Sequence, residues 1–297
     1  MQQQNDQLQI LIPKGRTYEN IQKLFADAGF NFKLPDRTYR PLMGVDWLVA
    51  KIMKPQNVGQ LLELGSHDCG FTGMDWILES GCNVVDVLDL GFDKVSIVVA
   101  VPAEKKDCFT SSAKSIVVAT EYVNLAEQYL KKQNYNCNYK ILRTYGATEV
   151  FPPDDADMII DNTASGQTLR DNGLVIIGTI LQSSTHFVAS SEAMNNPKKR
   201  ELIDRLAILF KSVLDGRERV MLEMNVEKDK FEKLAAGLPS MRSPTVSALY
   251  SGKGSAMGEG FAIKIAVKRN EVPDLIPSLK KLGATDIVEY DLRKVIS

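Results

Sequence analysis

The stretch Met158-Ile-Ile-Asp-Asn-Thr-Ala-Ser-Gly-Gln-Thr-Leu-Arg-Asp-Asn-Gly-Leu174 decides how the chain is read. An apolar run ends at Asp161. The small residues Thr163, Ala164, Ser165 and Gly166 follow, and Gln167 and Thr168 open a helix-like segment. A strand, a turn of small hydroxyl residues and a helix start together make a phosphate cradle. Free backbone N–H groups and the positive end of the helix dipole face the anion there. Gly166 permits close backbone approach, and Asp161 at the strand end can accept from sugar hydroxyls. The stretch therefore reads as a site for a ribose 5-phosphate. The competing local reading is a buried strand followed by a helix capped by Ser165.

Working outward, strands and helices alternate. Leu8–Ile12 reads as a strand. Thr17–Ala28 reads as a helix with Tyr18, Ile21, Leu24 and Phe25 on one face, closed by Gly29. Strands at Trp47–Ile52, Asp68–Phe71, Val84–Leu88 and Val95–Val101 are interleaved with helices at Val58–Leu64 and from Gly73. The polar stretch Ala103–Ala113 reads as a hinge. A second series begins with strand Ser115–Thr120 and helix Tyr122–Lys132, continues through strands Tyr139–Leu142, Met158–Ile160, Val175–Ile180 and Thr185–Ser190, and ends in helix Pro197–Leu214. This order predicts an α/β, bilobal core like that of periplasmic binding proteins, with largely parallel sheets and a cleft between the lobes. From Arg219 the texture becomes βαββαβ, the ferredoxin-like (ACT-like) unit. Its strands are Val220–Val226, Thr245–Tyr250, Phe261–Val267 and Asp286–Tyr290, its helices Glu227–Ala236 and Pro273–Leu282, and Ser251–Gly260 is a glycine-rich hairpin connection. The expected division is residues 1–103 and 188–218 for lobe I, 104–187 for lobe II with the cradle, and 219–297 for a regulatory domain.

The chain has 297 residues and a formal net charge of −1. That length holds more than one domain. That balance gives no electrostatic case for nucleic acid or a membrane surface, so an anionic ligand must be held by local charge. Basic residues gather between Lys14 and Lys54. Cys69, Cys82, Cys108 and Cys137 form no CxxC pair and no zinc spacing, which fits reduced thiols in the cytosol. The polar N-terminus lacks a signal-peptide pattern, and no apolar run reaches the roughly 18–20 residues of a membrane span. The expected location is cytoplasmic. His67 and His186 are the only histidines, so a metal is expected to arrive with a substrate phosphate rather than in a protein cage. No Ser/His/Asp or Cys/His set is evident.

Seven segments recur in a shared order: Leu11-Ile-Pro-Lys-Gly-Arg16, Gly65-Ser-His-Asp-Cys-Gly-Phe-Thr-Gly-Met-Asp75, Asp89-Leu-Gly-Phe92 with Val99-Ala-Val-Pro102, Ala119-Thr-Glu-Tyr-Val-Asn-Leu125, Gly146-Ala-Thr-Glu149, the Asp161–Leu169 cradle and Arg242-Ser-Pro-Thr-Val-Ser247. Together they resemble the long form of the ATP phosphoribosyltransferase family, which carries out the first step of histidine biosynthesis. The resemblance covers nearly the whole chain. It implies that ATP and phosphoribosyl diphosphate (PRPP) give N1-(5-phosphoribosyl)-ATP and diphosphate, with Mg²⁺ on the phosphates. It further implies that Asp161 holds the PRPP ribose and that Thr163, Ala164, Ser165, Gly166, Gln167 and Thr168 wrap the 5-phosphate. Lys14 and Arg16 would meet the diphosphate, Lys54, Asp68, Gly73 and Asp75 would line the cleft on lobe I, and Glu149 would lie on the adenine or ribose side. For the C-terminal module it implies histidine inhibition, with Ser243, Thr245 and Ser247 near the inhibitor, and assembly into homodimers and homohexamers. Two departures stand out. Lys54 replaces the arginine common in the family and so lacks its fork, and Asp161 is followed by Asn162, without the double acid of salvage phosphoribosyltransferases. The alternative reading is a bilobal small-ligand-binding protein or a non-catalytic regulatory paralogue.

Overall fold

The computed structural model describes residues 7–106, 115–133, 138–239, 241, 243–250 and 259–296. Cys108, Cys137, Arg242, residues 107–113 of the expected hinge and residues 251–258 of the hairpin connection lie outside them. The chain divides into two compact units, Met1–Ala207 and Ile208–Ser297.

The first unit runs β1 (Leu8–Pro13), α1 (Arg16–Ala28), β2 (Leu48–Met53), α2 (Val58–Glu63), β3 (Cys69–Gly73), α3 (Met74–Ser80), β4 (Val84–Asp89), β5 (Val95–Pro102), β6 (Ser115–Thr120), α4 (Val123–Gln133), β7 (Asn138–Arg143), β8 (Met158–Thr163), α5 (Gln167–Asp171), β9 (Leu174–Ser183), β10 (Thr185–Ser190), α6 (Ser191–Asn195) and the start of α7 (Pro197–Glu218). Helix α1 forms where the periodicity placed it. Ile21, Leu24, Phe25 and Ala28 make the buried stripe, and Gly29 takes the left-handed conformation that ends the helix, with Phe30 N–H donating back to Phe25 O at 2.9 Å.

Two five-stranded sheets result, ordered β2-β1-β3-β10-β4 and β7-β6-β8-β5-β9. Each is mixed rather than largely parallel. The pairs β2-β1, β1-β3, β7-β6 and β6-β8 are parallel, whereas β10 and β5 run antiparallel to both of their neighbours. The lobe boundary therefore moves. Strand β5 belongs to lobe II, not lobe I, and β10 to lobe I. The chain crosses between lobes at Leu90–Lys94 and at Ser184, where Leu90 N–H donates to Thr185 O and Thr185 N–H to Phe92 O, each at 3.0 Å. Strand β5 is buried on both faces. Ile97, Val99 and Val101 face one cluster with Val118, Tyr122 and Ile160, and Val98 and Ala100 face another with Ile159 and Leu169. A strand covered on both sides suits an interior place in a sheet, which β5 takes between β8 and β9. In lobe I, Phe25, Phe71 and Phe187 form an aromatic core, with the Phe71 and Phe187 rings 5.2 Å apart.

The second unit takes in the end of α7, β11 (Arg219–Glu227), α8 (Phe231–Ala235), β12 (Thr245–Ala248), β13 (Gly260–Lys268), α9 (Val272–Lys281) and β14 (Thr285–Asp291). Its all-antiparallel sheet has the order β12-β13-β11-β14, which is the ferredoxin-like arrangement. Residues 208–218, expected in lobe I, pack here instead. Val295 N–H donates to Ser212 O at 2.8 Å, and Gly216 lies against the Arg293 backbone, where a Cβ would come within 3.0 Å. Val220, Leu222, Met224 and Val226 alternate inward along β11 onto Leu234 and Leu279.

Phe187→Ala is expected to cost about 3–5 kcal/mol in urea unfolding, since a fully buried ring at the centre of lobe I is removed.

Candidate active site

The parallel strands of both lobes aim their C-terminal ends at one cleft, the usual ligand position in such sheets. Lys14 and Lys54 follow the paired ends of β1 and β2, where Pro13 is level with Met53, and Gly73 ends β3. On lobe II, Glu121, Thr144 and Asp161 lie at the corresponding ends of β6, β7 and β8.

The cradle departs in detail from both local readings. Gly166, not Ser165, is the residue before α5, at φ 72°, although Ser165 Oγ still accepts from the N–H of Gln167, the first residue of the helix, at 3.3 Å. The positive φ of Gly166 favours glycine, while a Cβ there would come closest to the flexible tip of the Arg170 side chain, at 3.0 Å. Helix α5 has five residues, so the turn's backbone N–H groups, more than a macrodipole, must supply the positive potential. Thr163 Oγ1 accepts from Gly166 N–H at 2.8 Å and thereby sets the turn. The Gln167 side-chain amide donates to Asp171 at 2.6 Å and accepts from Arg170 at 2.9 Å, and its backbone N–H donates to Ser165 Oγ at 3.3 Å. Ala164, Ser165 and Thr168 are exposed.

Asp161 is partly buried, and burial pushes its carboxyl up to about 6. Hydrogen bonds from Thr148 and from the Asn162 backbone oppose the shift, while the nearby charges of Glu121 and Glu149 add to it. Glu149 thus lies near Asp161. Among the described residues no three His, Cys, Asp or Glu side chains are grouped to hold a metal ion by themselves, so a hard cation here would have to be held largely by the oxygens of a ligand.

Two cavities flank this centre. One of about 450 Å³ has Lys54, Gln56 and Trp76 from lobe I facing Glu121, Arg143 and Tyr145 from lobe II. Gln56 Oε1 is buried there without a hydrogen-bond partner, and the Arg143 guanidinium sits 5.8 Å from the Tyr145 ring centre. The other, about 410 Å³, lies over the crossing strands between Lys94, Ala164, Ser183 and His186. His186 Nδ1 is 2.8 Å from Asp86 and its Nε2 is 3.3 Å from Ser184 Oγ, a Ser/His/Asp alignment invisible in the sequence. The Ser184 hydroxyl donates to Asp89 at 2.6 Å, however, so its proton is not directed to the imidazole.

Two expected cleft residues do other work. Asp68 is at the opposite end of β3, accepting from Lys199 Nζ at 2.7 Å and from Gln9 N–H at 2.8 Å. It is a structural ion pair, because its place beside the start of β1 puts it a strand's length from the cleft. Asp75 is 4% exposed and accepts from the hydroxyls of Tyr122 at 2.7 Å and Ser183 at 2.6 Å. Burial and the Asp75 charge push the Tyr122 phenol up. Asn162 Nδ2 donates to Tyr122 Oη at 3.1 Å, and the Trp76 and Tyr122 rings stack at 4.5 Å. Glu79 on α3 receives the backbone N–H groups of Asn124 and Leu125, at 3.0 and 2.9 Å, at the start of α4. These bonds join the lobes. In the C-terminal unit, Ser243 precedes β12, Thr245 and Ser247 share one face of it, and all three are exposed on this edge strand.

Sequence reading passed over Glu121, Tyr122, Arg143 and Asp93. The first three directly follow or close a strand at the cleft end, and that position was the available signal.

The family model for ATP phosphoribosyltransferase matches residues 54–211, and the model described as HisG, C-terminal domain, matches residues 216–294. The chain is similar to the ATP phosphoribosyltransferase of Chlorobium phaeovibrioides, at 37% identity over 301 residues with 100% of both chains covered. It is also similar to that of Thermodesulfovibrio yellowstonii, at 36% identity with 97% of this chain and 98% of the relative covered. In fold it is similar to a chain of the ATP phosphoribosyl transferase (HisG:HisZ) complex from Thermotoga maritima, with a TM-score of 0.60 and 24% identity, covering 68% of this chain and 98% of that one. With both family models matched in order and relatives aligned end to end, the chain belongs to the ATP phosphoribosyltransferase family.

Proposed function

We propose that the protein transfers the 5-phosphoribosyl group of PRPP to N1 of ATP, releasing diphosphate, as the first step of histidine biosynthesis. The observation that carries this reading is the glycine-bent cradle ending β8 beside Asp161, in a chain of this family. The adenine N1 lone pair forms the new bond to C1′ as the C1′–O bond to diphosphate breaks, so no side-chain nucleophile is needed. The protein's part is positioning and charge stabilisation. Asp161 accepts from the ribose hydroxyls, and the turn at Thr163–Thr168 holds the 5-phosphate. Lys14 and Arg16 meet the departing diphosphate. Lys54 and Arg143, from opposite lobes, serve the ATP phosphates in the larger cavity. Mg²⁺ carried on the substrate phosphates would supply charge neutralisation, with Asp161 the nearest carboxylate of the cradle to meet it. Among the described residues no helix is long and apolar enough to cross a membrane. We further propose a cytoplasmic homodimer or homohexamer, inhibited by histidine bound near Ser243, Thr245 and Ser247.

Three outcomes are expected. ATP and PRPP together yield phosphoribosyl-ATP and diphosphate, resolved by chromatography, and Asp161→Ala lowers kcat/KM for PRPP by on the order of 10²-fold while the protein stays folded. Equal loss of fold and activity would return Asp161 to a structural role. Because the folded Asp161 carboxyl lies near 6, above its ordinary 3.8, its contribution to stability is fully present below the unfolded value and is lost as pH rises through about 6. Asp161→Asn should therefore gain on the parent protein in chemical denaturation between pH 4 and 7, even as PRPP binding weakens. Finally, histidine inhibits the full chain, and Thr245→Ala weakens that inhibition without changing uninhibited kcat; insensitivity of the parent protein to histidine would reject the regulatory assignment.

A further inference from the structure

Asp93 sits in the turn by which the chain first crosses to lobe II, with φ 53°, a left-handed conformation that suits glycine better than a residue bearing a Cβ. Its Oδ1 accepts from Asn20 Nδ2 at 3.0 Å and lies 3.4 Å from Arg16 Nε. Its Oδ2 is shielded from solvent and has no hydrogen-bond partner. Aspartate tolerates such a φ, but a carboxylate with one oxygen shielded and unsatisfied costs free energy that the turn alone does not require. What the carboxylate does accomplish is to tether Arg16, whose side chain is otherwise 70% exposed at the start of α1. Contact through Nε orients the guanidinium plane and leaves both terminal nitrogens for a bidentate oxyanion.

We infer that Asp93 is a positioning residue that pre-orients Arg16, together with Asn20 on α1, for the diphosphate end of PRPP. This rests on the reading that Arg16 meets the diphosphate. Fixing a long side chain before binding spares its ordering cost on binding, so the effect falls on affinity more than on the chemical step.

The test is a double-mutant cycle of Asp93→Gly and Arg16→Ala in the full chain, reading KM for PRPP, inhibition by inorganic diphosphate, kcat and the melting temperature. Asp93→Gly should raise KM for PRPP and the diphosphate inhibition constant by about two- to tenfold, with kcat changed far less. Its melting temperature should stay within about 3 °C of the parent or rise, since glycine relieves the backbone. Asp93→Asn, which keeps an acceptor oxygen and tolerates this φ, should recover part of the loss. In the Arg16→Ala background, Asp93→Gly should have no further effect on affinity. Unchanged affinity in Asp93→Gly, tighter diphosphate binding, or an equal loss with and without Arg16 would each overturn the inference. If Arg16→Ala itself leaves PRPP and diphosphate affinity intact, the assignment of Arg16 to the diphosphate fails as well, and the two failures are told apart.

Discussion

The architecture of the cleft depends on a buried carboxylate shared between lobes. Asp75 is carried by lobe I, yet the hydroxyls that satisfy it come from Tyr122 of lobe II and from Ser183 on the crossing strand β9. Inside the protein, hydrogen bonds to a charged acceptor are worth more than neutral ones, and an unsatisfied charge there costs several kcal/mol, of order 3–5 if a partner is removed. The lobes therefore hold a defined spacing across this contact. Asn162 extends the same chain of bonds to the residue beside Asp161, so what fixes the lobes also fixes the strand end that bears the cradle.

Around that contact the site has a graded electrostatic character. Carboxylates gather around Asp161, where desolvation first and then the charges of Glu121 and Glu149 raise its pKa. Cations stand farther out, Lys54 and Arg143 on one side and Lys94 on the other. A substrate with hydroxyls at its centre and phosphates at its ends is complementary to this distribution. Such a site is unfavourable when empty and is relieved by its ligand, the usual trade of stability for function.

Much of this was legible in the residues. The stripe Ile21, Leu24, Phe25 and Ala28 with terminal Gly29 located α1, and the strict alternation of β11 located the first strand of the ferredoxin-like unit. The turn after β8 was legible because Thr163 and Gly166, which set it, are only three residues apart. What escaped was non-local. Nothing in the apolar run of β5 says which sheet it completes, so the lobe boundary was misplaced. Asp68 and Asp75 flank the same strand, β3, and sequence does not say which end faces the cleft. Tyr122 and Asp93 bond to partners on other elements, and the linear order of residues does not reveal those pairings.

The interleaving of the sheets has a consequence for how the chain is made. Strand β10 lies between β3 and β4, and β9 pairs along β5. Until residues 174–190 leave the ribosome, β4 lacks its neighbour and β5 lacks one of its two. Neither lobe can close as an independent unit during synthesis. Pairing across so much intervening chain is slow and leaves strand edges open meanwhile. The emergence of β9 and β10 thus sets the earliest moment at which the cleft can exist.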